Sequence, residues 1–181
     1  MGKALATSIS HLAVPLALSA ALGPDMVPAG LMVLALACAV LPDIDALGLW
    51  LGIPYDHALG HRGLTHSLPF SLALAGAGSL FAPELGAAPS IVFLVLLVSA
   101  ASHGLLDAMT NGGLGIAFFS PFSNRRYFLP WRVIEVSPLS IFELVLWRGL
   151  RVLGSEVRYV WIPCVVFGLA GFAVRGLFGP I

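Results

Sequence analysis

Charge is scarce in this sequence. Only 9 basic and 9 acidic residues occur among 181, so 10% of the chain is charged, where a soluble domain carries about 25%. That shortage excludes a water-soluble monomer, because 59% of the residues are hydrophobic and too little polar surface remains to meet solvent. The formal net charge is zero, which excludes an overall field that would recruit nucleic acid. Cysteine is nearly missing. Cys38 and Cys164 stand far apart inside apolar runs, so they read as small core residues, and neither a disulfide framework nor a CxxC site is present. No internal repeat, low-complexity tract or pair of inverted halves is visible.

What is there is a series of apolar stretches. A helix that crosses a bilayer needs about 20 mostly apolar residues. Five stretches come near that length: residues 4–22, closed by Gly23-Pro24; 26–41, closed by Pro42; 64–81, before Pro83; 88–109; and 159–178. Lys3 and the small residues around 17–21 resemble a secretory leader, but His11 interrupts it, and a retained first helix is the reading adopted here. Residues 139–153, opened by Ser137-Pro138, carry Glu143, Arg148 and Arg151 beside an apolar face, as a helix lying in the interface would. The expected fold is an all-α, polytopic membrane helix bundle of about five membrane segments plus an interfacial helix. It forms a single domain over 1–181, with a site-bearing core at about 8–136 and the interfacial and last helices at about 137–181.

Five crossings put the amino terminus, the 42–63 loop and the 110–158 loop on one side. That side holds Lys3, Arg62, Arg125, Arg126, Arg132, Arg148, Arg151 and Arg158, leaving only Arg175 opposite. Loops rich in Lys and Arg stay in the cytoplasm. The expectation is an inner-membrane protein whose loop-rich side is cytoplasmic.

All five histidines and most of the aspartates fall in four clusters: His11; Pro42-Asp43-Ile44-Asp45; Asp56 to His66, including His57, His61 and Arg62; and His103 with Asp107. His103 and Asp107 are four apart, so a helix presents them on one face. Each element alone has a plainer reading. His11 can be a packing histidine, HxxxD a simple His–Asp hydrogen bond, PDID a helix stop, His57 a loop residue and Arg62 a lipid anchor. Yet Asp43, Asp45, His61, His66, His103 and Asp107 all fall at the same expected ends of their helices, with His11 about two turns in. Ionisable groups near lipid face the bundle interior, paired or on ions. Several carboxylates packed together repel unless a cation is present. Imidazole with carboxylate and no thiolate suits zinc, manganese or iron.

The combination of His11, LPDID, GHRGLTHSL, SHGLLDAMTNGG and FFSPFSNRRYFLPW resembles the YdjM/YbcI family of inner-membrane metal-dependent hydrolases. The likeness runs from His11 to about Val136 and on into the last apolar segment. That family is in turn distantly similar to zinc-dependent phospholipase C, an all-α enzyme. The resemblance implies metal ligands at His11, Asp43 or Asp45, His66, His103 and Asp107, with His61 a further candidate, and a site in which Asp107 bridges two ions. It departs in one respect: no histidine follows His103, so one or two ions are implied rather than three.

The function read from this is metal-assisted hydrolysis of a phosphoester in a lipid or lipid-linked substrate. A divalent ion, zinc first, makes hydroxide available near neutral pH. Asp43 or Asp45 is the candidate base. Arg62, Arg125 and Arg126 are candidates for phosphate oxygens because a guanidinium fork matches them, and Thr110 and Asn111 are candidate donors. For Arg125 and Arg126 the competing reading is a topology signal. Two rivals remain: a transporter for metal or another ion, and a non-catalytic membrane protein whose metal staples helix ends together. No nucleic acid and no obligate protein partner is readable.

Overall fold

The computed structural model describes residues 4–5, 9–138 and 147–179. Among them the fold is helical, and the extended structure is minor. Ala4–Leu5 (β1) pairs antiparallel with Ser137–Pro138 (β2), and two isolated bridges occur in the long loop after residue 109.

A 3-10 turn, Ser10–Leu12, leads into α1, Ala13–Leu22. Helix α2, Ala29–Val40, continues through a 3-10 turn, Leu41–Asp45, into α3, Ala46–Trp50. After a loop and a second 3-10 turn, Leu64–His66, come α4, Leu68–Ser79, and the short α5, Ala82–Leu85. Helix α6 is Pro89–Ala108. Helix α7, Trp147–Glu156, passes through a π-helical turn, Val157–Trp161, into α8, Ile162–Phe178. The helix starts follow local chemistry. Pro69 and Pro89 occupy first-turn positions, where the missing N–H costs nothing, and Ser67 Oγ accepts from Phe70 N to cap α4.

Among the described residues, three stretches are long and apolar enough to cross a membrane: Ala29–Trp50, Pro89–Ala108 and Gly149–Phe178. Ser10–Leu22 and Leu68–Ser79 are apolar but shorter. At 1.5 Å per residue, 13 residues reach only about 20 Å of a roughly 30 Å hydrocarbon layer.

Several boundaries differ from the expected ones, each for a visible reason. The PDID segment is helical rather than a loop. Pro42 sits in the first turn of the 3-10 segment, where its ring fixes a compatible φ, so the second apolar stretch extends to Trp50. The helix expected over 139–153 lies partly outside the described residues, and its described end runs without a break into the last helix. Pro163 follows directly on the π turn, whose wider ladder accommodates the carbonyl that the proline ring would otherwise strike.

The packed centre lies between α2, α4 and α6, where Leu31, Ala35, Ala75, Val92, Leu96 and Ala100 are buried together with Cys38, which is the core role expected of that thiol. Helix α1 packs chiefly against α8. At the far end of α1 the chain turns at Gly23, and Arg175 of α8 donates to the carbonyls of Ala21 (2.9 Å) and Ala20 (2.8 Å). Those last-turn carbonyls lack intrahelical partners, so the one basic residue expected on that side serves as a cap. The outward face of α8, with Leu169, Phe172 and Leu177 exposed, is left for lipid.

At the other end, residues 110–136 fold over the mouth of the bundle. Asn111 N donates to Ile134 O, Leu129 N to Ala108 O and Ala117 N to Arg62 O. This long connection is ordered, and it buries Thr110, Ile116 and Ile134.

Candidate metal centre

The 3-10 turn after α2 carries Asp43 and Asp45, the turn before α4 carries His66, and the last turns of α6 carry His103 and Asp107. These elements meet because α6 packs against both turns. Gly104 makes the approach possible. A Cβ there would lie 2.6 Å from the His66 carbonyl oxygen, so any side chain would push the His66 turn off α6.

Four donor atoms converge. His66 Nε2 is 3.4 Å from Asp107 Oδ2 and 3.9 Å from Asp43 Oδ1, while His103 Nε2 is 3.4 Å from Asp43 Oδ1 and 3.9 Å from Asp107 Oδ2. All four residues offer atoms within 4.8 Å of one another. The separations are long for hydrogen bonds. A tetrahedral ion with ligands at about 2.0–2.2 Å sets its donors about 3.3–3.6 Å apart; the two 3.4 Å edges lie in that range and the two 3.9 Å edges are somewhat wider, so a cation at the centre would draw the set in by a few tenths of an ångström.

The orphaned atoms point the same way. Nε2 of His11, His66 and His103 and Oδ1 of Asp107 are buried without a hydrogen-bond partner, a rare condition in a folded interior. His11 stacks on His103 with ring centroids 3.7 Å apart, and its Nε2 lies 3.8 Å from Asp107 Oδ1. It is a fifth donor at the edge of the set.

The other ring nitrogens of His66 and His103 are held as ligand histidines require, whereas Nδ1 of His11 has no hydrogen-bond partner. His103 Nδ1 donates to the Ala39 carbonyl at 2.7 Å, and His66 Nδ1 donates to Asp45 Oδ2 at 2.9 Å. Asp45 is thereby occupied. Its Oδ1 takes His61 Nδ1 at 2.6 Å, and its Oδ2 also accepts Thr65 Oγ1 (2.6 Å) and Arg62 N (3.1 Å). Asp45, His61 and His66 form a second group with suitable atoms, but 2.6 Å between nitrogen and oxygen leaves no room for an ion between them. Of the two neighbouring aspartates, Asp43 faces the converging set and Asp45 braces it.

Charge supports the same reading. Three carboxylates, Asp43, Asp45 and Asp107, face one cation, Arg62, whose Nε lies 3.0 Å from Asp107 Oδ2. With the imidazoles neutral, as ligation requires, two negative charges remain uncompensated, and one divalent ion cancels them. His66 lies outside the membrane-spanning segments. Burial alone lowers its pKa, but the Asp107 and Asp45 carboxylates outweigh burial and push it up to about 9.

Other candidates take different places. Arg62 is fully buried and adopts a left-handed backbone conformation (φ 64°); its Nη1 donates to Thr110 Oγ1 (3.1 Å) and Gly112 O (3.0 Å). Arg126 works as a clamp. Its Nη1 donates to His61, Arg62 and Gly115 carbonyls and its Nη2 to those of Tyr55 and His57. Arg125 is exposed and lies over the Tyr127 ring. Asn111 is exposed, with Oδ1 accepting from Val136 N. His57 accepts from Leu59 N on the surface, a loop residue as its plainer reading had it. Thr65 and Tyr55 were not singled out from the sequence. Thr65 precedes the candidate ligand His66, which is a weak signal, and nothing in the sequence marks Tyr55. Ser10 donates to the buried Glu156 at 2.8 Å and accepts from Trp161 Nε1 at 3.2 Å, a link between the first and last helices equally invisible beforehand.

The chain is 38% identical over 158 residues to the inner membrane protein YbcI of Escherichia coli, covering 87% of this chain and 91% of that one. It is 36% identical over 87 residues to the inner membrane protein YdjM of the same species, and to its Shigella flexneri counterpart, covering 44% of each chain. No solved structure matches the chain. The match to the YdjM inner membrane protein family runs over residues 6–178, and the chain belongs to that family.

Proposed function

We propose that this protein is a membrane-embedded, metal-dependent hydrolase that cleaves a phosphoester in a lipid or lipid-linked substrate at the cytoplasmic face. One observation carries the reading. Two imidazole nitrogens and two carboxylates, from three separate elements, converge within 4.8 Å of one another, and Nε2 of His66, Nε2 of His103 and Oδ1 of Asp107 are buried there without a hydrogen-bond partner.

His66, His103, Asp43 and Asp107 would hold the ion, with His11 beside them. A divalent cation there supplies Lewis acidity and lowers the pKa of water toward about 7. Zinc suits the donor set, and manganese and iron are compatible with it. Asp45 fixes the tautomer of His66 so that Nε2 faces inward. Among the four donors Asp43 has the most exposed side chain, 19% against 3% or less for the others, so it lies on the approach to the ion and is placed to take a proton from water. Arg62 sets a fixed positive charge beside Asp107, suited to phosphate oxygens. The arginines of the loop-rich end support a cytoplasmic orientation.

Elemental analysis of the purified full chain is the first test. The expected result is about one equivalent of transition metal, as charge balance requires, and absence of any would remove the proposal. Hydrolysis of a panel of phospholipids and isoprenoid phosphates, with and without chelator, then separates an enzyme from a metal staple: chelator-sensitive release of product supports catalysis, and a retained metal with no turnover favours the staple. A reporter at the amino terminus is expected to read cytoplasmic.

A further inference from the structure

Tyr55 has no place in the metal set, yet its buried hydroxyl, reached by the Leu114 N–H, has no acceptor for its own proton, and Nη2 of Arg62 is buried without a hydrogen-bond partner. The two belong to one spot. A side chain at Gly113 would stand 2.7 Å from Arg62 Nη1 and 2.9 Å from Tyr55 Oη, and the Leu114 backbone is also close to that hydroxyl. Gly113 has a φ of +80° and Gly115 one of +84°, so the turn is held in a form that only glycine adopts freely. Gly113 and Leu114 are exposed while Arg62 is fully buried, so the glycine turn lies between Arg62 and the surface. Among the described residues, the N–H groups of Gly112, Gly113 and Gly115 donate no backbone hydrogen bond.

We infer that Arg62, the Tyr55 hydroxyl and the glycine turn over residues 112–115 form a phosphate-binding subsite beside the metal centre. The inference rests on the metal-dependent phosphoester reading above and assigns the substrate's phosphate to named donors. A guanidinium that served only to balance Asp107 would have its remaining N–H groups satisfied, as buried donors normally are. Here one nitrogen is left over. Guanidinium, phenol and backbone N–H are all donors, and they approach from different elements. That set matches a tetrahedral oxyanion with several acceptor oxygens better than a planar or neutral group. Arg62 Nε touches Asp107 Oδ2, so an anion held here lies next to the ion-binding carboxylate. Arg126 takes no part, since its terminal nitrogens are held by five backbone carbonyls.

The test uses the full chain in detergent, loaded with the metal it retains, and titrates inorganic phosphate by calorimetry. Parallel titrations use a soluble phosphate monoester and vesicles of phosphatidic acid in phosphatidylcholine. Saturable binding of any of the three is expected, and the pattern identifies the source: a free phosphate if the inorganic ion and monoester bind, a lipid headgroup if only the vesicles do. Tyr55→Phe removes a single oxygen, so it should weaken binding on the order of tenfold with metal content unchanged. Gly113→Val should abolish binding while metal content stays at the wild-type level. Metal retained but no phosphate bound in any form overturns this inference and leaves the metal centre standing. So does phosphate bound equally well by wild type and Tyr55→Phe. A chain that retains no metal overturns both readings together.

Discussion

At the far end of the bundle, Arg175 turns its guanidinium onto the carbonyls of Ala20 and Ala21, and the helix end is completed by the protein's own atoms. At the loop-rich end, His11, His66 and His103 each leave Nε2 buried and unmatched, and Asp107 leaves an oxygen likewise. Both ends face the same physical demand, because polar groups beside lipid must be satisfied. One end meets it internally. The other leaves buried donor atoms that could be completed by a cation, and that contrast separates a structural cap from a candidate site more sharply than residue type does.

The strongest challenge to the contrast is to remove the converging donors. His103→Ala and Asp107→Ala should each abolish bound metal and hydrolytic activity together, read by elemental analysis and turnover. Retention of both would clear those positions of the role. The two neighbouring aspartates sharpen it next. Asp43→Asn should lose the metal, whereas Asp45→Asn, which disturbs only the brace behind His66, should weaken metal affinity about 10–100-fold, read with a competing chelator. Equal effects would dissolve the distinction between ligand and brace.

A smaller effect comes from protons. With a pKa of about 9, His66 is protonated at neutral pH when no ion is bound, and its proton must leave before Nε2 can ligate. Metal affinity should therefore rise with pH by up to about tenfold per unit, levelling above pH 9. An affinity flat between pH 6 and 9 would show that no such proton is displaced. Arg175→Ala, at the opposite end, should leave metal content at the wild-type level and cost about 1–3 kcal/mol of stability, measured by thermal unfolding in detergent. Least affected of all should be Asn111→Ala, whose side chain only straps Val136; a loss of metal there would extend the site beyond its assigned boundary.

The legibility of these features from sequence differs by kind. HxxxD was readable because a helix repeats every 3.6 residues and brings His103 and Asp107 to one face. The membrane helices were readable because lipid tolerates only long apolar stretches. The PDID segment was harder: a proline after an apolar run looks like a stop, but Pro42 is tolerated in the first turn of Leu41–Asp45, which also packs against α6 and the His66 turn. The brace made by Asp45 and the clamp made by Arg126 were unreadable. Their partners lie 16 to 21 and 11 to 71 residues away, and no local pattern records such a pairing.

Sequence by itself determined the solvent, the helical class and the list of residues able to hold a metal, since apolar run length and side-chain chemistry are local properties. Tertiary structure alone decided which aspartate faces the converging His66, His103 and Asp107 atoms, which arginines are held by backbone carbonyls, and that Tyr55 belongs beside Arg62. Those outcomes depend on the direction in which each side chain leaves its element and on what meets it there, and direction is set only when separate parts of the chain pack.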